Sequence, residues 1–522
     1  MRRLVHNAWL LLAACFCCFA ASGQAAPRED VPQADRDVLH AHIHAMRIAE
    51  AEALVAKLQA SYPKSRSLEY HRGVLQFYRG HYADALAIID GALSGIEVQR
   101  EWDYMRALVE STHEMTRGFI EVSSPDGRYI VWHKPGVDSV MASHALEVLM
   151  AADTALQEAL GVRIPGPIRL EIFPSADALA AVSSLTVEQI ETTGTIALSK
   201  WDRLMITSPR ALVRGYPWAD TINHEFVHMV VSRMTEEQAP VWLQEGVAKL
   251  LERSWRTRKP GALIEPASLA LLEEATRKGE LLSFDEMHPS IAMLPSQEAA
   301  ALAFAEVASF IDDYAKRHGM ATLRDALNQL DGERDARRAL GAAAGLDFAK
   351  IEKTWRAALP RRSGNKHARK VKRRLRSGGK TDDSLDVVEM DARRFLRLGD
   401  LLWDRQRITA AAIEYGKAHE ADRDDPIVAA RFARAALETG QPQRARDALE
   451  SVAQRYPDQA PVHAMLGAAR LKLGDRAGAS IALLDAILVN PFDPQPQCDL
   501  ARSSDEPRVR DRARAACEIL GR

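Results

Sequence analysis

From residue 119 to about 208 the apolar residues alternate with polar ones in short runs: FIEVS (119–123), YIVWH (129–133), IRLEIF (168–173), TIALS (195–199) and RLMITS (203–208). A period of two predicts strands. Among them VMASHALEVLMAADTALQEAL, at 140–160, spaces its apolar residues three and four apart and predicts a helix. After Pro217 the helical period takes over and persists to about residue 360, so the middle of the chain reads as an α+β domain, sheet first and helices later. Beyond it the chain repeats itself. Ala411, Ala445 and Ala479 are 34 residues apart, and so are Tyr415, Leu449 and Leu483. Gly399, Ala433 and Gly467 mark an earlier place in each unit, Gly440 and Gly474 mark a turn, and Pro457 and Pro491 mark unit ends.

This pattern resembles the tetratricopeptide repeat, in which small residues let two antiparallel helices cross closely and proline stops the second. A weaker copy runs from 32 to about 97, with Ala51 and Ala85 again 34 apart, Gly73 and Gly80 at packing and turn positions and Pro63 at a unit end. The chain is therefore expected to carry all-α repeat segments at 32–115 and 391–522 around a middle domain at 119–360. Two hairpins cannot bury their apolar faces alone, so the N-terminal pair must lean on the middle domain or on further helix near 96–115.

Charge changes the picture little: 522 residues carry a formal net charge of −2, which gives no bulk reason to expect a nucleic-acid partner. The local exception is RRSGNKHARKVKRRLRSGGKTDDS (361–384), dense in Lys and Arg and broken by Ser-Gly and Gly-Gly; it reads as an exposed linker over 361–390. At the other end, Met1-Arg2-Arg3, an apolar run from Ala8 to Ala21 and the small residues GQAA (23–26) read as an export signal over residues 1–26. The expected location is periplasmic or secreted. The alternative takes Leu12-Ala13-Ala14-Cys15 as a lipoprotein box and leaves a lipid anchor at Cys15; that anchor and the basic linker are the only membrane contacts expected. Three of the five cysteines lie in the signal, and the other two, Cys498 and Cys517, are expected to pair as a staple on a terminal repeat with one neighbour.

The candidate chemistry lies in TINHEFVHMVVS (221–232). His224 and His228, four apart on a helix, share a face and can meet one metal ion, with Glu225 one step round beside it. In APVWLQEGVAKLLE (239–252) a second helix starts at Pro240 after the polar turn TEEQ, and Glu245 stands 17 residues beyond His228, far enough for the chain to reverse and bring a carboxylate back. Two histidines, one carboxylate and an open position make the ligand set of a catalytic rather than a structural zinc.

HEFVH followed by WLQEGVA resembles the gluzincin metallopeptidases, both their aminopeptidase-like branch and secreted bacterial peptidase-MA-like proteins. AFAEVASFIDDYAKRHG (303–319) and the helical stretch at 331–359 extend the likeness over about 119–360. It implies Zn2+ on His224, His228 and Glu245, with Glu225 as general base and proton shuttle. Where relatives often carry a tyrosine able to stabilise an oxyanion, this chain has Phe304, which leaves Tyr216, His288 or another side chain to substitute. Lys249 occupies the place of an acid that in thermolysin-like relatives holds a zinc-binding histidine. The strand before the zinc helix, GTIALS (194–199), has the glycine of the aminopeptidase motif and lacks its amine-gripping acid, with Glu191 three residues too early. The expectation is an exported zinc endopeptidase acting on protein or peptide segments, with its repeats binding client or partner. The alternative is a non-catalytic repeat scaffold in which the zinc domain is degenerate or purely structural.

Overall fold

The computed structural model describes residues 31–330, 335–359, 386–387 and 389–521. The expected export signal, the alternative anchor at Cys15 and the basic run at 361–384 lie outside the described residues. Among those described, no helix is long and apolar enough to cross a membrane.

The N-terminal segment is two helical hairpins, α1 (Gln33–His44) with α2 (Ile48–Ser61) and α3 (Arg66–Arg79) with α4 (Tyr82–Leu93), followed by α5 (Arg100–Thr116). Gly73 is where α3 and α4 cross, since a Cβ there would stand 2.6 Å from Ile89 Cγ1. The hairpins lean both ways that their apolar faces allow. Tyr70 stacks on Trp102 of α5 with ring centroids 4.2 Å apart, and Tyr82 reaches into the sheet of the next domain.

That sheet comprises β1 (Ile120–Ser123), β2 (Tyr129–His133), β3 (Ile168–Phe173), β4 (Ala197–Lys200) and β5 (Arg203–Thr207) in the order β1-β2-β3-β5-β4. The outer pairs are antiparallel, whereas β2/β3 and β3/β5 are parallel. Parallel neighbours need crossovers, so helices interleave with the strands: α6 (Ser139–Leu160), α7 (Ala176–Ala181) and α8 (Val187–Thr193). The domain is thus less strictly sheet-first than its pattern implies. On the face toward the N-terminal hairpins the fully buried Arg203 donates from Nη1 to Glu171 Oε2 (2.9 Å) and Tyr82 OH (3.0 Å) and from Nη2 to the Val182 carbonyl (2.7 Å). Arg169 Nη2 reaches the Tyr78 carbonyl at 3.0 Å. Such charges stay buried only while each is paired, which fixes how the hairpins seat on the sheet.

The second half of the domain is helical: α9 (Trp218–Met234), α10 (Val241–Leu251), α11 (Ser254–Thr257), α12 (Pro266–Lys278), α13 (Gln297–His318), α14 (Met320–Asn328), α15 (Ala336–Ala344) and α16 (Phe348–Ala358). In α13, Glu306 is 1% exposed; it accepts from the Leu282 backbone N–H at 3.0 Å, and its other carboxyl oxygen has no partner. Burial pushes its pKa up to about 8, against the Leu282 bond and the charge of Arg356. A carboxyl with a raised native pKa holds its proton better folded than unfolded, so stability falls as pH rises from the ordinary glutamate range through 8, by on the order of 3–5 kcal/mol for one such group. Denaturant titrations at pH 5 and pH 9 should show Glu306→Gln gaining on the native protein at the higher pH; identical pH dependence in both would contradict this.

The C-terminal segment is four further hairpins: α17 (Met390–Asp404) with α18 (Ile408–Ala421), α19 (Pro426–Glu438) with α20 (Pro442–Arg455), α21 (Ala460–Lys472) with α22 (Arg476–Ile487), and α23 (Pro494–Ser503) with α24 (Pro507–Leu520). The 34-residue period has a visible cause. A Cβ on Gly399 would lie 2.5 Å from Tyr415 Cε1, and one on Gly467 2.6 Å from Leu483 Cγ. Cys498 and Cys517 form a disulfide between α23 and α24. The terminal hairpin has a second neighbour as well as the preceding repeat, because Arg512 on α24 pairs with Glu147 on α6.

Candidate active site

α9 is buried on nearly every side. From Trp218 to Val231 only Thr221, His224 and His228 are part-exposed, and their spacing of three and four puts them in one stripe. A helix so buried elsewhere can sit only in the middle of the domain. The polar stripe therefore opens into the one direction its neighbours leave uncovered.

The reversal into α10 runs through Glu236 and Glu237, both with positive φ (+45° and +64°). Pro240 then caps α10, which presents Glu245 and Lys249 on its part-exposed face, with Glu252 at its C-cap. Gly246 lets α13 close on the back of this helix, since a Cβ would be 2.4 Å from Ile311 Cγ1 and 3.0 Å from the Val307 carbonyl.

Three of the four expected site residues converge. The two Nε2 atoms of His224 and His228 are 3.2 Å apart, and Glu245 Oε2 lies 3.3 Å from the first and 3.6 Å from the second. Tetrahedral zinc with bonds of 2.0–2.1 Å sets its ligand atoms about 3.3 Å apart, so this donor set has the size and chemistry of a zinc site. Glu225, only 7% exposed, is the fourth: its carboxylate and the two histidines offer atoms within 4.8 Å of one another. Glu245 is the nearer carboxylate to both rings, and Glu225 is held to one side, where the backbone N–H of Ser199 on edge strand β4 favours its charged form.

The charges respond to this crowding. Burial raises the Glu225 pKa, and the two histidines only partly oppose it. Burial would do the same to Glu245, but His228 and His224 outweigh it and hold Glu245 well below the ordinary range. His224, which burial alone would lower, is lifted to about 10 by its bonds to Glu245 and Glu252.

Glu252 is the residue the sequence reading missed. Its Oε2 lies 3.4 Å from His224 Nδ1 and 2.9 Å from Lys249 Nζ. The acid that holds the outer nitrogen of the first histidine is thus present three residues beyond Lys249, which pairs with it. The available signal was the helical spacing of Glu245, Lys249 and Glu252, four and three apart along one face. Asn223 Nδ2 reinforces the arrangement by donating to the Leu251 and Glu252 carbonyls at 2.7 and 3.1 Å, which ties α9 to the end of α10. His228 Nδ1, by contrast, is buried with no partner.

None of the candidate oxyanion donors stands ready. Phe304 packs against the domain core, the Tyr216 hydroxyl is buried and donates to the Thr207 carbonyl, and His288 is exposed.

Residues 150–361 match the family described as the Peptidase MA superfamily, and residues 402–469 and 436–497 match the tetratricopeptide repeat. The chain carries a Peptidase MA superfamily domain followed by tetratricopeptide repeats. No curated protein matches it. Among solved structures, the first tetratricopeptide domain of Spaghetti (RPAP3) bound to an HSP90 peptide is 17% identical, with 22% of this chain and 90% of that one covered at a TM-score of 0.21. The APC/C hetero-tetramer Cut9-Hcn1 is 13% identical, with 94% of this chain and 83% of that one covered at a TM-score of 0.22. At these scores neither likeness bears on the fold or partners of this chain.

Proposed function

We propose that this chain is an exported zinc endopeptidase that cleaves within extended protein segments, with its tetratricopeptide repeats engaging the client or a partner protein. The observation that carries the reading is the convergence of His224, His228 and Glu245 within 3.6 Å, with the buried Glu225 beside them, in a stretch that matches the Peptidase MA superfamily.

His224, His228 and Glu245 would hold the zinc, with Glu252 fixing the His224 ring through Nδ1. Zinc bound there supplies a Lewis acid that polarises a carbonyl and makes water acidic enough to lose a proton near neutral pH. Beside that position the Glu225 carboxylate would accept a proton as general base and deliver it to the departing amine. Its burial makes the carboxylate a stronger base than one in water, as the task requires.

Specificity follows from β4. It is an edge strand, and the Ser199 N–H turns away from β5 on the side near Glu225, so an extended peptide adding to this edge would run past the base. Residues 194–199 contain no acid to grip a free amino terminus. Paired peptides, one N-terminally acetylated and one free, should be cut internally and equally well. Cleavage confined to the first residue of the free peptide would overturn the endopeptidase assignment.

Export is supported by the Cys498–Cys517 disulfide, since such bonds persist in oxidising compartments. The second reading, a scaffold without catalysis, draws on the engaged Tyr216 hydroxyl and on Phe304, which leave the oxyanion donor unassigned.

A further inference from the structure

The C-terminal repeats are joined to the metal-binding helix itself. Leu488 and Ala516 are buried in the same core as Ile222, Phe226 and Val230 of α9. At the head of that helix Trp218 Nε1 donates to the Ile487 carbonyl (2.9 Å) and the Tyr216 N–H to the Val489 carbonyl (3.1 Å). Gly215, at φ +68°, lies so close that a Cβ would stand 2.3 Å from the Val489 carbonyl oxygen.

A charged chain runs parallel to these contacts. Asp220, one turn before His224, is buried and accepts from Trp255 Nε1 (2.8 Å) and from Arg256 through Nε (2.9 Å) and Nη2 (2.5 Å). The same guanidinium reaches across with Nη1 to Asp485 of α22, at 3.1 Å. Arg256 therefore spans two carboxylates, one on the metal helix and one on the repeats. Its planar fork can serve both only while each stays in place.

We propose that Asp485 is a positioning residue for the metal centre, acting through Arg256 and Asp220 on the helix that carries His224 and His228. The C-terminal repeats then become a working wall of the site as well as a binding arm. With Asp485 neutralised, Arg256 loses its outer anchor, Asp220 is held by a guanidinium free to tilt toward solvent, and the head of α9 loosens. This inference rests on the zinc reading above.

The test uses the full chain as Asp485→Asn, Asp485→Glu and Gly215→Ala, the last wedging the joint apart from outside both the site and the repeats. Two readouts are needed: zinc affinity by competition with a chromophoric chelator, and amide hydrogen exchange along α9 in zinc-free protein. Asp485→Asn should weaken zinc by roughly three- to tenfold, the scale of a partly exposed pair within a network, and speed exchange in the first turns of α9. Asp485→Glu should restore both, and Gly215→Ala should exceed Asp485→Asn in the same direction. Affinity and exchange at native values in Asp485→Asn, or a loss that Asp485→Glu does not relieve, would overturn the proposal. A native protein that takes up no zinc would sink the zinc reading instead, and the exchange comparison would still decide whether the repeats hold the helix.

Discussion

Replacing His228 by alanine is expected to strip the purified protein of zinc. His228 Nε2 stands 3.2 Å from His224 Nε2 and 3.6 Å from Glu245 Oε2, so its removal leaves two ligands where a catalytic zinc needs three. The loss should exceed the roughly 10- to 100-fold that follows from deleting an outer-shell partner. Glu245→Gln should behave similarly. The pair of carboxylates near the histidines makes this a discriminating comparison, because Glu225 also lies within reach of both rings. If Glu245 is the ligand, metal content falls in Glu245→Gln and holds in Glu225→Gln. Elemental analysis after dialysis reads this directly, and full zinc in His228→Ala would refute the ligand set.

The second large effect is on turnover. Glu225→Gln keeps the side chain's size and leaves the nearer donors untouched, but an amide cannot take up a proton. General acid–base groups of this kind contribute about 10²- to 10⁴-fold, so kcat/KM on an internally quenched peptide should fall by that factor while zinc stays at one per chain. Because the variant also removes a buried carboxyl whose charged form is disfavoured by burial, it should be no less stable than the native protein. Undiminished turnover would remove Glu225 from the mechanism.

Much of this was legible in the sequence, and the parts that were not share a cause. All five strands fall within two residues of the alternating runs, because β3 and β5 are buried along their whole length and β2 at every second position. Gly399, Gly467 and Gly73 announced helix crossings because each faces a bulky side chain sixteen residues later: Tyr415, Leu483 and Ile89. His224 and His228 stood out for the same physical reason that they are available, being polar positions on a helix otherwise sealed in the core.

What the pattern did not carry is pairing over distance. The insertion of β5 between β3 and β4 depends on where a crossover lands, which periodicity does not encode. The contact of Trp218 with the Ile487 carbonyl joins residues 269 positions apart through a backbone oxygen, which has no sequence signature at all. Glu252 was hidden by a smaller ambiguity. Whether an acid at the end of a helix faces the site depends on which residue closes the last turn, and helix ends are the least certain part of any such reading.

The reading as a zinc endopeptidase is tested most directly by the peptides the protein releases. An extracted protein mixture incubated with the native chain and, separately, with Glu225→Gln at equal zinc content can be compared by mass spectrometry of new chain ends. The expected result is a set of internal cleavages made by the native protein, abolished by a zinc chelator, restored by added zinc and absent from the Glu225→Gln sample. Identical peptide populations from the two proteins, with zinc bound in both, would contradict it and leave the domain a scaffold.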